Sequence, residues 1–155
     1  TIEDEKKDLE PLLIAKKKFN FIINNYPDTD FAIDARFKVD LISDILASKE
    51  MYIGRHYLKK EKWIPAINRF KNILKDYETT IYAEEAMHRL VEVYYHIGLV
   101  DEAKRYAILL GYNYQSSEWY KKSYKIFNKS YENRTTKIIK KEKKYTIKKF
   151  KKLFE

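Results

Sequence analysis

The 155-residue chain has no cysteine, three glycines and three prolines. Without cysteine there is no disulfide, no thiolate metal site and no cysteine nucleophile; the compartment stays open, because helical proteins of oxidising spaces often lack cysteine too. So little Gly and Pro leaves scant material for the turns of a β fold, and the Lys, Glu, Leu, Ile and Ala between the aromatics favour helices. No run of 18 apolar residues occurs, so no segment is long and apolar enough to span a bilayer as a helix. The chain opens at Thr1 inside a polar segment, without a methionine or a signal-like apolar stretch, and reads as a fragment or a processed product.

Acidic charge is scarce at one end only. Residues 120–155 carry fourteen Lys or Arg against three acids, net +11, whereas residues 1–119 carry eighteen against twenty, net −2. Any reading of the protein as a nucleic-acid binder therefore rests on the tail alone. Catalytic patterns are missing as well. There is no G-x-S-x-G turn and no Gly-rich phosphate loop. The carboxylate pairs Glu84/Glu85 and Asp101/Glu102 fall where first helical turns favour acids. His88 and His96 stand about 12 Å apart along a helix, and no second pair has a spacing of three or four. The chain reads as a non-enzyme with no cofactor and no metal.

What is present is a repeat. NNYPDTDF (24–31), KDYETTIY (75–82) and YNYQSSEW (112–119) each set a tyrosine before small polar residues and an aromatic. An amphipathic stripe precedes each of the first two: Leu12, Ala15, Phe19, Ile22 and Ile23, then Ile64, Ile67, Phe70, Ile73 and Leu74. The polar residues read as stops and caps, with Thr29, Thr80 and Ser117 accepting from the first amides of the next helix. Helices are expected over 8–25, 30–60, 64–77, 81–97, 100–111, 117–131 and 135–153. Pro65 falls in a first turn, where a missing amide costs nothing, and Trp63 and Trp119 open helices, where packing on a neighbouring turn is their commoner use. Tyr57 and Tyr94 are core by pattern.

Anchored on these turns, the chain matches the tetratricopeptide pattern of about 34 residues, in which small and aromatic positions let paired helices pack closely. Gly54, Tyr57, Ala66 and Phe70 carry it in the middle unit. Leu90, Tyr94, Gly98 and Ala103 carry it in the next, with Val91 and Ala107 departing from it. The first unit supplies only Ala15, Phe19 and Pro27, and reads as truncated. An insertion, DFAIDARFKVDLISDIL (30–46), holds no Gly or Pro and runs unbroken into the middle unit. The expected fold is an all-α, tetratricopeptide-like solenoid of antiparallel helix pairs with one bridging helix over 30–60, about 45 Å long. The expected organisation is a repeat domain over 1–131 and a basic amphipathic extension over 132–155.

First helices of tetratricopeptide units line a concave face. Consensus position puts Met51, Arg55, Leu58 and Lys59 there from one unit, and Glu85, His88, Glu92, Tyr95 and His96 from the next. Such a wall can cradle a peptide, or it is simply the polar side of a solenoid. In the tail, Ile139, Ile147, Phe150 and Phe154 fall near one helical face, with Lys140, Lys141, Lys144, Lys148 and Lys151 among the polar positions. This is the layout of a helix on an anionic membrane or an acidic partner, or of a solvated extension whose lysines aid solubility. Nucleic acid is not the expected partner, since no RRM, KH or helix-turn-helix pattern accompanies the charge.

Within the tetratricopeptide proteins, residues 9–127 resemble the C-terminal half of the BamD family, lipoproteins of the machine that assembles β-barrel proteins in the bacterial outer membrane. DARFKVDLISDILASKEMYIGRHYLKK (34–60) and WIPAINRF (63–70) carry the resemblance: an elongated helix, a Tyr-rich segment, a basic turn, then A-x-N-R. LLGYNYQSSEWYKKSYKIF (109–127) also looks like the close of the last unit in α-proteobacterial members. The resemblance implies a non-catalytic scaffold on the periplasmic face of the outer membrane, with the lipid anchor belonging to the family's N-terminal half. It implies docking through the C-terminal repeats onto the barrel-proximal POTRA domain of BamA, with other assembly-machine lipoproteins and unfolded β-barrel substrates as further partners. On its stripe alone Arg69 is a solvated arginine at the outer edge. The resemblance implies that it pairs with a partner carboxylate, with Asn68 and Lys62 beside it. The rival readings are a general peptide-binding repeat module and a membrane or nucleic-acid adaptor acting through the tail.

Overall fold

The computed structural model describes residues 9–128, which form six helices and, among the described residues, no strand. They are α1 (Leu9–Asn25), α2 (Asp30–Lys59), α3 (Trp63–Asp76), α4 (Tyr82–His96), α5 (Val100–Asn113) and α6 (Glu118–Phe127). Connections of three to five residues leave consecutive helices as packed antiparallel neighbours. The bridging rod is one continuous helix of 30 residues. Its first half lies along α1, where the Lys38 ammonium sits over the Phe19 ring. Its second half lies along α3 and reaches α4.

The core sits where α2, α3, α4 and α5 meet, and Met51, Ala66, Phe70, Ile73, Leu90 and Ala103 are buried there. Gly54 on α2 is required by close approach. A Cβ built on it would stand 2.5 Å from Cε1 of Phe70, a ring that is itself fully buried. The small-then-aromatic spacing of the repeat is thus a contact: one helix removes its side chain so that the next can insert a ring. Tyr94 is buried, and Tyr57 packs against the same cluster.

The punctuation differs from expectation at one of its three sites. Thr29 Oγ1 accepts from Ala32 N (3.3 Å) and Ser117 Oγ from Trp119 N (3.1 Å), as caps do. Thr80 does not cap. Its hydroxyl donates back to the Tyr77 carbonyl at 2.7 Å, and α4 starts after Ile81 without a side-chain cap. Thr29 makes the same donation, to the Tyr26 carbonyl at 2.8 Å, and still caps; at the second site Ile81, already in right-handed helical backbone (φ −60°, ψ −14°), stands between Thr80 and the first helical residue. α3 begins at Trp63, one residue earlier than expected, with Pro65 still in the first turn. The last helix expected to reach 131 ends at Phe127, with Asn128 donating to the Tyr124 carbonyl. The helix expected over 135–153, the extension 132–155 and Lys140, Lys141, Lys144, Lys148, Phe150 and Lys151 lie outside the described residues.

Candidate partner-docking surface

Arg69 lies on α3 beside the buried stripe formed by Ala66, Ile67, Phe70 and Ile73. The expectation of an outward, solvated arginine is corrected here. Arg69 Nη1 bonds Glu50 Oε1 of α2 at 2.9 Å, and Asn72 Nδ2 donates to Oε2 of the same carboxylate at 3.2 Å. The Glu50 side chain is 15% exposed and that of Arg69 29%. A carboxylate so covered needs its charge matched, which pulls the guanidinium to the α2–α3 seam. One nitrogen of the five-donor fork is spent on Glu50, and the part of the group still in solvent is held in a fixed orientation. Asn68 is exposed on the same helix, and Lys62, exposed, precedes its first turn.

The concave wall is rearranged more strongly. Met51 is a core residue, 1% exposed, and lines no groove. His88 is likewise buried, because α6 packs onto α4 and covers it. Ser123 Oγ lies 2.8 Å from His88 Nδ1, Glu92 Oε1 lies 3.3 Å from Nε2, and the Trp119 ring rests 5.2 Å from the imidazole. A carboxylate only accepts, so Nε2 carries its hydrogen toward Glu92 and the Ser123 hydroxyl serves Nδ1. The charges expected to face a ligand are spent on each other. Glu85 is buried, and takes Arg55 of α2 through two contacts and Arg89 Nε at 3.1 Å. Arg89 Nη1 also reaches Glu92 at 2.6 Å. Burial disfavours ionised Glu92, but hydrogen bonds from His88 and Arg89 outweigh it and hold the carboxyl below its ordinary range. Burial likewise opposes the Arg89 charge, and Glu92 and Glu85 more than restore it.

Of the remaining wall residues, Lys59 and His96 are exposed and Leu58 is half-buried. His96 lies tilted against Trp63, ring centres 4.6 Å apart, and Tyr95 and Phe127 meet edge to face at 5.5 Å. Glu50, Ser123 and Trp119 are the residues sequence reasoning missed in these roles. The Glu85–Arg89–Glu92 spacing was a legible helical signal. The Glu50–Arg69 and His88–Ser123 pairs join different helices, and no local pattern marks them.

The family model described as outer membrane lipoprotein, YfiO, matches residues 1–110. The chain belongs to the BamD (YfiO) family of outer-membrane lipoproteins. It is 46% identical over 132 residues to the outer membrane protein assembly factor BamD of Rickettsia prowazekii, covering 85% of this chain and 52% of that protein. The factor of the same name from Caulobacter vibrioides is 47% identical over 107 residues, 69% of this chain and 35% of the relative. That of Vibrio cholerae is 30% identical over 112 residues, 72% and 46% of the two chains. The chain therefore spans about half the length of the Rickettsia protein and about a third of the Caulobacter one. The BamD match includes all of α1 to α4 and the A-x-N-R segment of α3.

Proposed function

We propose that this chain is a non-catalytic scaffold of outer-membrane protein assembly, acting at the periplasmic face of the bacterial outer membrane. Its C-terminal repeats dock the POTRA domain of BamA nearest the barrel, and Arg69 is the centre of that contact. Family membership supports the assembly role, since the relatives are named as assembly factors. The single observation that carries the docking reading is the state of Arg69. Glu50 holds the guanidinium on the α2–α3 seam while 29% of the side chain stays in solvent, a preorganised cation for an incoming acid. Asn68 and Lys62 supply polar contacts around it.

The groove reading is weaker, because Met51 and His88 are interior and Arg55 is already bonded to Glu85. Two substitutions test the docking reading against a purely internal role for the arginine. Glu50→Ala and Arg69→Ala each remove the same ion pair; Arg69→Ala, which leaves the covered carboxylate unmatched, is expected to lower stability by roughly 1–3 kcal/mol, and Glu50→Ala by roughly 0.5–1.5 kcal/mol. Against a purified BamA POTRA fragment, titrated calorimetrically, Arg69→Ala is expected to cost about 2–5 kcal/mol of binding. Glu50→Ala, which keeps the cation but releases it, should cost less, about 0.5–1.5 kcal/mol. Equal affinities for all three proteins, or equal losses in both variants, overturn the assignment.

A further inference from the structure

The first half of α2 is buried on one side and apolar on the other as well. Ala32, Ala35 and Ile42 are buried on the side where α1 packs. Ile33, Phe37, Leu41 and Ile45 recur every four residues on the opposite side, and Phe37 and Leu41 are 70% and 62% exposed. Four large exposed side chains in line along about 18 Å of helix form a contiguous face, unlike apolar residues scattered singly. The same line continues into a contact that the fold does make. Arg55 follows Phe37 by eighteen residues, about five turns, and there α4 lies on the rod and supplies Glu85. The bare half of the line is the continuation of a seam on which a helix already packs.

Charge marks what fits it. Asp40 and Asp44 flank the stripe, and among the described residues neither has an ion pair, whereas Asp34 is held by Lys38. α1 turns a complementary face outward. Ile14 and Phe21 are 49% and 62% exposed, with exposed Lys17 and Lys18 between them, and Glu10 is the one acid on this helix. Neither face suits itself. Two rod faces would bring acids together, since Lys38 and Arg55 on that side are already engaged by Asp34 and Glu85. Two α1 faces would bring lysine to lysine, and like charges set opposite each other oppose association.

We propose that the exposed face of α1 in one copy packs on the exposed face of α2 in another, so that copies of this chain associate head to tail. Phe37 and Leu41 meet Ile14 and Phe21, and Lys17 and Lys18 reach Asp40 and Asp44. Each copy carries both faces, so the contact is heterologous and adds copies in a row unless its rotation closes a ring.

Charge reversal at positions outside the core tests this. Sedimentation equilibrium of the full chain should show an average mass that rises above the monomer with concentration. Asp40→Lys with Asp44→Lys, and separately Lys17→Glu with Lys18→Glu, should each weaken that association about ten-fold or more, with unchanged circular dichroism. An equal mixture of the two variants should restore it, because the lysine-bearing α2 then meets the glutamate-bearing α1 and the two untouched faces meet each other. Lys59→Glu with Lys60→Glu reverses two charges at the far end of the rod and should associate like wild type. A chain that stays monomeric at every concentration overturns the proposal and leaves the face to a different protein. Association that either reversal leaves unchanged, or that the mixture fails to restore, overturns it in favour of another surface.

Discussion

Glu61 and Gly98 end the first helices of successive hairpins in the same way. In each, the residue after the cap takes positive φ (57° and 84°) and the next amide reaches back, Lys62 N to the Tyr57 carbonyl and Leu99 N to the Tyr94 carbonyl. This is the paired-bond stop that glycine suits, because a Cβ is strained in left-handed backbone. Gly98 was legible as a repeat position, and Glu61 stands at the same offset, four residues after Tyr57 as Gly98 is after Tyr94, although the residue there is not glycine. Glu61→Gly is expected to raise stability by about 0.5–1 kcal/mol, and Gly98→Ala to lower it by about the same amount. Urea unfolding followed at the helical signal measures both. A destabilised Glu61→Gly would show that the glutamate side chain contributes more than its backbone costs.

At the scale of elements, the seam between α4 and α6 buries a polar cluster. His88, Ser123, Glu92 and Arg89 form a connected set, with Trp119 laid over His88 and the Arg89 guanidinium. Glu92 carries the pH dependence. Its carboxyl is depressed in the folded state, so its contribution is present above the ordinary value of 4.5 and is lost as pH falls through the lower folded value. Wild-type protein should therefore lose more stability than Glu92→Gln between pH 5 and pH 3, read as the shift in urea midpoint. A parallel loss in the two proteins would remove Glu92 from the account. Ser123→Val leaves buried His88 Nδ1 without its partner, and is expected to cost about 1–3 kcal/mol. The loss should show first as weaker hydrogen-exchange protection in α6, the element that this bond holds down.

At the scale of the molecule, the described residues form a stack in which each helix touches only helices one or two places away in the chain. Stability in such an array is a sum of local and nearest-neighbour terms, so position decides how far a defect spreads. Phe70 is fully buried at the centre, against Gly54 of α2, and Phe70→Ala is expected to cost about 3–5 kcal/mol and to lower the melting of the whole stack. Leu110 is as deeply buried but sits near the end, on α5. Leu110→Ala is expected to cost about 2–5 kcal/mol, mostly from α5 and α6, leaving exchange protection in α2 and α3 close to wild type. Uniform loss of protection in both variants would mean that the stack unfolds as one unit.

Sequence by itself determined the six described helices, their order and the rod. The 3.6-residue stripes, the unbroken run over 30–59 and the Gly54/Phe70 spacing are local facts, and helix formation is decided over a turn or two of chain. Membership of the BamD family was also legible, because A-x-N-R and the long helix stand within one continuous stretch. Tertiary structure alone decided which charged residues meet across helices. Arg69 meets Glu50, Arg55 meets Glu85, and His88 passes from a groove wall to the interior once α6 lies on α4. The reason is physical: a helical stripe tells which side of a helix is dry, but an ion pair depends on the register between two helices, and that is set by side chains far apart in the chain.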